Sequence, residues 1–179
     1  MLSKDIYLPE VLIGQQKPMI DERGIFRRLI DFQEIRDSYN LDSYQVIQSN
    51  FSQNFETGTW RGLHAQKEPH AETKIVCCIT GSVLDVIVDV RKSSSTYLKH
   101  TKITLDSQAG NFVIVPKGFA HGYLTLETNS SVVYFVDEAY SREFEIGFHV
   151  DDPALNLEIS HLINIISPKD SAWPKLAAY

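Results

Sequence analysis

The most restrictive feature of the chain is a series of short segments rich in β-branched residues, each closed by turn-forming residues. The segments are KIVCCITG (74–81), SVLDVIVDVR (82–91), HTKITL (100–105), NFVIVP (111–116), YLTL (123–126) and SVVYFV (131–136). Strands of this length and spacing are typical of a β-sandwich or a β-barrel. Since no repeat, linker or low-complexity segment interrupts the sequence, we predict a single all-β domain over residues 1–179.

Helices are expected only at the periphery. The segment DFQEIRDSYN (31–40) has Asp31 as a candidate N-cap and Glu34 three residues later, which is the pattern of a capping box. A second helix is expected from about Asp170 to the C-terminus, although Pro174 interrupts it early.

The segment 82–91 alternates between two faces, because successive side chains of a strand point in opposite directions. One face carries Leu84, Val86, Val88 and Val90, and the other carries Val83, Asp85, Ile87 and Asp89. We expect the first face to lie in the core and the second to bring two carboxylates to whatever it lines. For Asp89 we favour a hydrogen-bonding role inside the barrel.

Charge and hydropathy exclude some classes of partner. The 179 residues are 43% hydrophobic and carry a net charge of −6, which argues against a nucleic-acid surface but allows a small basic pocket for a phosphorylated metabolite. No apolar run reaches the roughly 18 residues of a membrane span. The N-terminal segment MLSKDIYLPEVLIG has no long apolar core, so we expect no signal peptide. The adjacent Cys77 and Cys78 should face opposite ways, so we expect reduced thiols and a cytoplasmic protein.

The stretch from Gly110 to Thr125, GNFVIVPKGFAHGYLT, resembles the second sequence motif of the cupins. The resemblance implies a double-stranded β-helix, which is a jelly-roll barrel, with short peripheral helices. Many cupins bind a metal through a His-x-His pair, a Glu and the histidine of this second motif. Here only His64, His121 and Glu72 are on offer, because Gln66 stands where the second histidine of the pair would be. A transition metal needs three or four well-placed ligands, so we expect no metal and no cofactor.

Nine segments in order resemble the dTDP-4-dehydrorhamnose 3,5-epimerases, a metal-free branch of the cupins. They are DERGIF (21–26), QSNFS (48–52), RGLHAQ (61–66), ETKIV (72–76), DVIVDVRKSSSTY (85–97), VPKGFAHGY (115–123), VVYF (132–135), DDPAL (151–155) and SPKDSAWPKL (167–176). The resemblance implies a homodimer that inverts carbons next to the ketone of a nucleotide-linked 4-keto-6-deoxyhexose.

The resemblance also implies roles for individual residues. His64 would be the base, Asp170 its partner, Tyr134 the acid on the opposite face of the sugar, and Lys74 a positive charge near the enolate oxygen. These residue types suit the chemistry, because inversion next to a ketone needs a base, an acid and stabilisation of the enolate. The residues expected to bind the substrate are Arg23, Phe26, Gln48, Asn50, Ser52, Arg61, His121 and Lys169.

Several positions differ from the usual pattern of the family. Met19, Ala65 and Ala139 stand where many members carry aromatic residues, and we expect these changes to reshape the walls around the sugar and the base. Three other readings stay open: a related 3,4-ketoisomerase, a non-catalytic sugar-binding cupin, and a metal-dependent cupin oxygenase. The paired presence of His64 and Asp170 favours the epimerase, since binding alone needs no such pair.

Overall fold

Two six-stranded sheets account for most of the molecule. The computed structural model of the protein describes residues 2–39 and 43–176. The first sheet has the order β1-β2-β10-β7-β12-β5. Its strands are β1 (Leu2–Lys4), β2 (Leu12–Gln15), β5 (Gln48–Asn54), β7 (Lys74–Thr80), β10 (Asn111–Val115) and β12 (Ser130–Val136).

The second sheet has the order β13-β6-β11-β8-β9, and β14 pairs with β6 in parallel. Its strands are β6 (Thr59–Gln66), β8 (Ser82–Asp89), β9 (His100–Asp106), β11 (Phe119–Thr125), β13 (Glu145–Gly147) and β14 (Ile165–Ile166). This arrangement of strands confirms the predicted all-β class, and the jelly-roll expectation is confirmed by the solved structures compared below. The strand predicted at 123–126 is longer than expected, because β11 begins at Phe119 and carries His121 within it.

Three apolar layers hold the sheets together. The first includes Val76, Ile87 and Val132, which lie in the barrel interior between the two sheets. The second covers the outer face of β6, β8 and β11 with the C-terminal segment around Leu155 and Leu157. The third lies outside the first sheet, beneath the helix α1.

The strand β8 shows why the two-face prediction was incomplete. Val86 and Val88 pack in the outer layer, as expected of a core face, but Val83 and Ile87 are also buried in the barrel interior. Both faces of β8 are therefore covered, because the C-terminal segment closes the side that a two-layer sandwich would leave in water. The inner face combines the apolar Val83 and Ile87 with the buried carboxylates of Asp85 and Asp89.

The helices are short. Helix α1 (Phe32–Tyr39) forms where the capping pattern placed it, and the Asp31 side chain accepts a hydrogen bond from the Glu34 N–H at 3.2 Å. The C-terminal helix prediction was wrong in its bounds: α2 covers only Pro168–Ser171 and ends before Pro174, which cannot donate a helical hydrogen bond. A 3₁₀ turn lies at Ser160–Leu162, and residues 177–179 are outside the described part of the chain.

A separate hairpin projects from the barrel. Its strands β3 (Pro18–Asp21) and β4 (Gly24–Arg27) pair only with each other. Its apolar side chains are mostly exposed: Met19, Ile20, Ile25 and Phe26. No helix within the described residues is long and apolar enough to cross a membrane.

Candidate active site

Two adjoining cavities open at one end of the barrel. The first, of about 280 Å³, is lined by Phe51, Ser52, Arg61, His64, Lys74, His121, Tyr123, Tyr134 and Asp170. The second, of about 410 Å³, is lined by Gln48, Asn50, His64, Ala65, Gln66, Glu72, Lys74, Tyr134, Val136, Tyr140, Glu145 and Lys169. Since His64, Lys74 and Tyr134 line both, the residues that the sequence nominated for acid–base chemistry lie where the cavities meet.

The His64 ring is held by a buried carboxylate. Its Nε2 atom lies 2.6 Å from Oδ1 of Asp170, whose side chain is 6% exposed, whereas the His64 side chain is 29% exposed. An ionised carboxylate accepts a hydrogen bond, so Nε2 carries the proton and Nδ1 is left with its lone pair. The pair can therefore present a base to the cavity while Asp170 stabilises the protonated ring.

Local sequence fixes the direction of Asp170. Ser167 caps α2 by accepting the Asp170 N–H at 3.0 Å, and Pro168 occupies the first helical position, where its missing N–H costs nothing. Trp173 Nε1 donates to Asp170 Oδ1 at 3.3 Å. Burial raises the pKa of Asp170, but the hydrogen bonds from His64, Gly62 and Trp173 outweigh it and hold the pKa below its ordinary value.

Gly62 is needed where β6 passes beneath this pair. Its φ of +133° is one that residues with a side chain rarely adopt, and a Cβ atom there would lie 2.5 Å from Cα of Gly122 on β11. The close approach of the two strands also points the Gly62 N–H towards Asp170 Oδ2, at 3.4 Å. A glycine two residues before His64 thus helps to place the partner of His64.

Lys74 is held by an ion pair inside the cavity. Its Nζ atom lies 2.7 Å from Oε1 of Glu72, and both side chains are nearly buried. The sequence indicated Glu72 only as a candidate metal ligand. Its position beside Lys74 does not follow from the spacing, because residues 71–73 form no regular strand.

Tyr134 presents a protonated phenol to the same space. Burial raises its pKa above the ordinary value, and the nearby Tyr123 and Glu72 raise it further, while Arg61 acts in the opposite direction. The hydroxyl group is therefore protonated at neutral pH, as a proton donor must be.

A hydrogen-bond chain lines the other side of the first cavity. The Tyr123 hydroxyl donates to Ser52 Oγ at 2.8 Å, Asn54 Nδ2 lies 3.4 Å from the Tyr123 hydroxyl, and Arg61 Nε donates to Asn54 Oδ1 at 2.7 Å. Sequence reasoning missed Tyr123. The signal was present, because Tyr123 lies two residues after His121 and shares its face in a strand.

His121 belongs to a second histidine–carboxylate pair. Its Nε2 atom lies 2.7 Å from Oδ2 of Asp85, and the two side chains are 8% and 0% exposed. The register pairs His121 on β11 with His64 on β6. Asp89, at the end of the same strand as Asp85, instead bonds to Arg91 and Thr96 away from the cavities.

Gln66 does not offer a metal ligand. Its amide nitrogen lies within 3.3 Å of three acceptors, and its oxygen accepts the Ser141 N–H at 2.6 Å. No group of three or more His, Cys, Asp or Glu side chains in residues 2–39 and 43–176 could hold a metal ion. The residues present therefore do not fit the metal site of other cupins. Cys77 and Cys78 are free thiols and lie in different apolar layers.

The second cavity contains the remaining polar residues of β5 and the C-terminal segment. Gln48 and Asn50 line it, whereas Ser52 lines the first cavity, so alternate residues of β5 run along both. Lys169 Nζ lies 2.6 Å from Glu145 Oε1, and the Tyr140 hydroxyl donates to Glu145 Oε2 at 2.9 Å. Glu145 was not anticipated from sequence.

Two nominated residues lie elsewhere. Arg23 and Phe26 are on the exposed β3–β4 hairpin, where Arg23 pairs with Asp21, and neither lines the two cavities of its own chain. Ala65 borders the second cavity, as expected of a wall residue, and it also packs in the outer apolar layer.

Comparison with known proteins agrees with this architecture. The sequence profile of the dTDP-4-dehydrorhamnose 3,5-epimerase family matches residues 5–178. A dTDP-4-dehydrorhamnose 3,5-epimerase of Sinorhizobium fredii is 36% identical over 177 residues, which cover 98% of this chain and 90% of that protein.

Two solved structures extend the comparison. The dTDP-6-deoxy-D-glucose-3,5-epimerase of Legionella pneumophila, in complex with dTDP-4-keto-L-rhamnose, has a TM-score of 0.92 at 29% identity and covers 99% of this chain and 93% of its own. The dTDP-4-dehydrorhamnose 3,5-epimerase of Bacillus anthracis, with TDP and PPi bound, has a TM-score of 0.86 at 32% identity and covers 98% of this chain and 99% of its own. By sequence and by fold, this chain belongs to the dTDP-4-dehydrorhamnose 3,5-epimerase family.

Proposed function

We propose that the protein is an isomerase that inverts C3 and C5 of a dTDP-4-keto-6-deoxyhexose by acid–base enolisation. The observation that carries the proposal is the His64–Asp170 pair, which opens into a cavity that Tyr134 and Lys74 also line. Membership of the family supports this choice of reaction and of substrate class.

The chemistry follows from the ketone. Protons on C3 and C5 are acidic because each carbon is next to the C4 carbonyl, and His64 removes one through Nδ1 while Asp170 stabilises the imidazolium. Tyr134 then gives its proton to the same carbon from the opposite face of the ring, which inverts that centre. Once His64 has released its proton to water and Tyr134 has regained one, repetition at the second carbon gives the double epimer. Inversion of C3 alone is the simpler variant of the same mechanism.

Lys74 stabilises the intermediate. Removal of the proton places negative charge on the C4 oxygen, and an ammonium group in a nearly buried site interacts with that charge more strongly than it would in water. No step of this mechanism passes through a metal.

The nucleotide occupies the polar track beside the sugar. Gln48, Asn50 and Ser52 lie along β5 on the side that faces the cavities, and Arg61 offers a guanidinium for the pyrophosphate. Lys169 lines the second cavity, and His121 the first, where each is available to a substrate oxygen.

We assign the hairpin to the active site of a second subunit in a cytoplasmic homodimer. Its exposed side chains include Phe26 and Met19, and the edge strand β5 exposes Phe51. A cluster of exposed apolar side chains such as that of the hairpin often marks an interface. Light scattering at micromolar concentration should give twice the mass of the chain, and a monomer would remove the reason for placing Arg23 at a shared site.

The test of function is incubation with dTDP-4-keto-6-deoxyglucose in deuterated water, followed by NMR. Deuterium at C3 and C5 supports double epimerisation, and deuterium at C3 alone identifies a 3-epimerase. The rate should be unchanged by a chelator, whereas a requirement for added Fe²⁺, Mn²⁺ or Zn²⁺ would contradict the mechanism. Absence of exchange with any nucleotide-linked 4-keto sugar would leave a sugar-binding protein.

A further inference from the structure

The side chain of Gln66 joins two parts of the cavity that are distant in sequence. It lies at the end of β6, two residues after His64, and is 5% exposed. Its amide nitrogen lies 3.0 Å from the His70 carbonyl, 3.2 Å from the Ala139 carbonyl and 3.3 Å from Glu72 Oε2. Its amide oxygen accepts the Ser141 N–H at 2.6 Å.

These four contacts define which end of the amide is which. Three acceptors surround one end, and a backbone donor meets the other, so the nitrogen must face the carbonyls and Glu72. A carboxylate at this position would keep the Ser141 contact but would face two carbonyls and a second carboxylate without any proton to donate.

The amide nitrogen has two hydrogens for three acceptors. The three acceptors lie 3.0 to 3.3 Å from the nitrogen, so at least one hydrogen is shared between two of them. A displacement of Ala139 changes how much of the Gln66 donor is available to Glu72.

Each side of this amide leads to a different functional group. Glu72 pairs through its other oxygen with Lys74 at 2.7 Å, at the junction of the two cavities. Ala139 and Ser141 flank Tyr140, whose exposed ring lines the second cavity. An exposed aromatic ring beside polar groups is suited to stack on a nucleobase.

We propose that Gln66 is a positioning residue that couples the Tyr140 loop to the Lys74–Glu72 ion pair. When the loop is ordered against the nucleotide, the Gln66 amide holds Ala139 and Ser141 in place and at the same time fixes the carboxylate that orients Lys74. The proposal rests on the proposed function, because it assigns Lys74 to the enolate and the second cavity to the substrate.

The test compares Gln66→Glu with a matched control. Gln66→Glu changes almost no volume but removes both donor hydrogens, and Gln108→Glu makes the same change on an exposed turn away from both cavities. We measure kcat on the keto sugar, dTDP affinity by calorimetry, and the melting temperature.

Gln66→Glu should lower kcat by about tenfold to a hundredfold, because Lys74 is misplaced. It should weaken dTDP binding by about tenfold, because the Ala139 carbonyl next to Tyr140 loses its donor. Gln108→Glu should change neither. Loss of melting temperature with kcat and dTDP affinity within twofold of the wild type would overturn the proposal.

A second variant separates positioning from general damage. In Gln66→Glu/Glu72→Gln, kcat should equal that of Glu72→Gln alone, because without the carboxylate at position 72 residue 66 has no route to Lys74. Affinity for dTDP should stay weak, since the carbonyls of His70 and Ala139 still lack a donor. Losses of kcat that add in the double variant would contradict the coupling to Lys74. If the wild-type protein turns over no keto sugar, the proposed function fails, while unchanged dTDP affinity in Gln66→Glu would separately refute the loop half of the inference.

Discussion

Two histidine–aspartate pairs lie close together in this barrel. They differ in exposure, in the element that supplies the carboxylate and in how fully that carboxylate is hydrogen-bonded. His64 is 29% exposed and its carboxylate comes from the C-terminal helix, whereas His121 is 8% exposed and its carboxylate comes from the adjacent strand β8. Asp170 receives hydrogen bonds from His64, Gly62 and Trp173. Asp85 Oδ1 is buried and has no hydrogen-bond partner among the described residues.

The difference separates a reactive pair from a structural one. A base must reach solvent or substrate and must have its carboxylate fully satisfied, so that the charge on the ring is stabilised without movement. The His64 pair meets both conditions. The His121 pair lies in the wall of the cavity, where it orients one ring edge and keeps β8 and β11 in register, but its burial leaves little room for proton exchange.

The largest expected effect is the loss of activity when the partly exposed His64–Asp170 pair is broken. His64→Asn and Asp170→Asn should each lower kcat by roughly a hundredfold to ten-thousandfold, the usual contribution of general acid–base catalysis. The double variant should lose little more, because groups that act as one unit are not additive. Steady-state kinetics would check this, and additive losses would mean that Asp170 serves another purpose, such as holding α2.

Breaking the buried His121–Asp85 pair should affect stability more than kcat, the reverse of the His64–Asp170 pair. Asp85→Ala leaves a buried ring nitrogen of His121 without its partner and should lower the free energy of unfolding by about 1–3 kcal/mol. Asp170→Ala should lower it by less, since the half-open His64 can turn to water. Per folded molecule, Asp85→Ala should raise KM more than it lowers kcat. Urea unfolding gives the loss of stability of each variant, and steady-state kinetics gives its loss of kcat. If the same variant showed the larger loss in both, the two pairs would not differ in role.

The smallest expected effect is a pH dependence that belongs to Asp170. Its pKa is lowered by folding, so its hydrogen bonds stabilise the protein above the ordinary value of 3.8 and this contribution is lost as the pH falls through the lower folded pKa. The difference in unfolding free energy between wild type and Asp170→Asn should therefore shrink between about pH 5 and pH 3. A difference that stays constant over this range would show that the carboxylate is not preferentially ionised in the fold.

Most of the strands and the first helix could be predicted because they depend on local sequence patterns. The β-branched segments predicted the central strands, and Asp31 with Glu34 predicted the start of α1. The covering of β8 by residues near Leu155 and Leu157 could not be predicted, because nothing local tells an outer apolar face from an inner one. The predicted C-terminal helix was too long, because the apolar residues around Pro174 suggested a helix that this proline does not allow.

The candidate site divides in the same way. The family resemblance implied roles for His64, Lys74 and Tyr134, and the structure brings the three side chains to one junction. Glu72, Glu145 and the Gln66 contacts depend on loops whose paths no periodicity encodes. The proposed place of Arg23 in the site of a second subunit rests on the family resemblance alone.

The central claim is that His64, supported by Asp170, removes the proton next to the ketone and that Tyr134 returns one from the opposite face of the sugar. The most direct measurement is deuterium exchange into dTDP-4-keto-6-deoxyglucose by Tyr134→Phe, with and without His64→Asn, followed by NMR. Tyr134→Phe should incorporate deuterium on the original face without inversion, and the addition of His64→Asn should abolish the incorporation. Inversion by Tyr134→Phe, or exchange that persists in the double variant, would contradict the account.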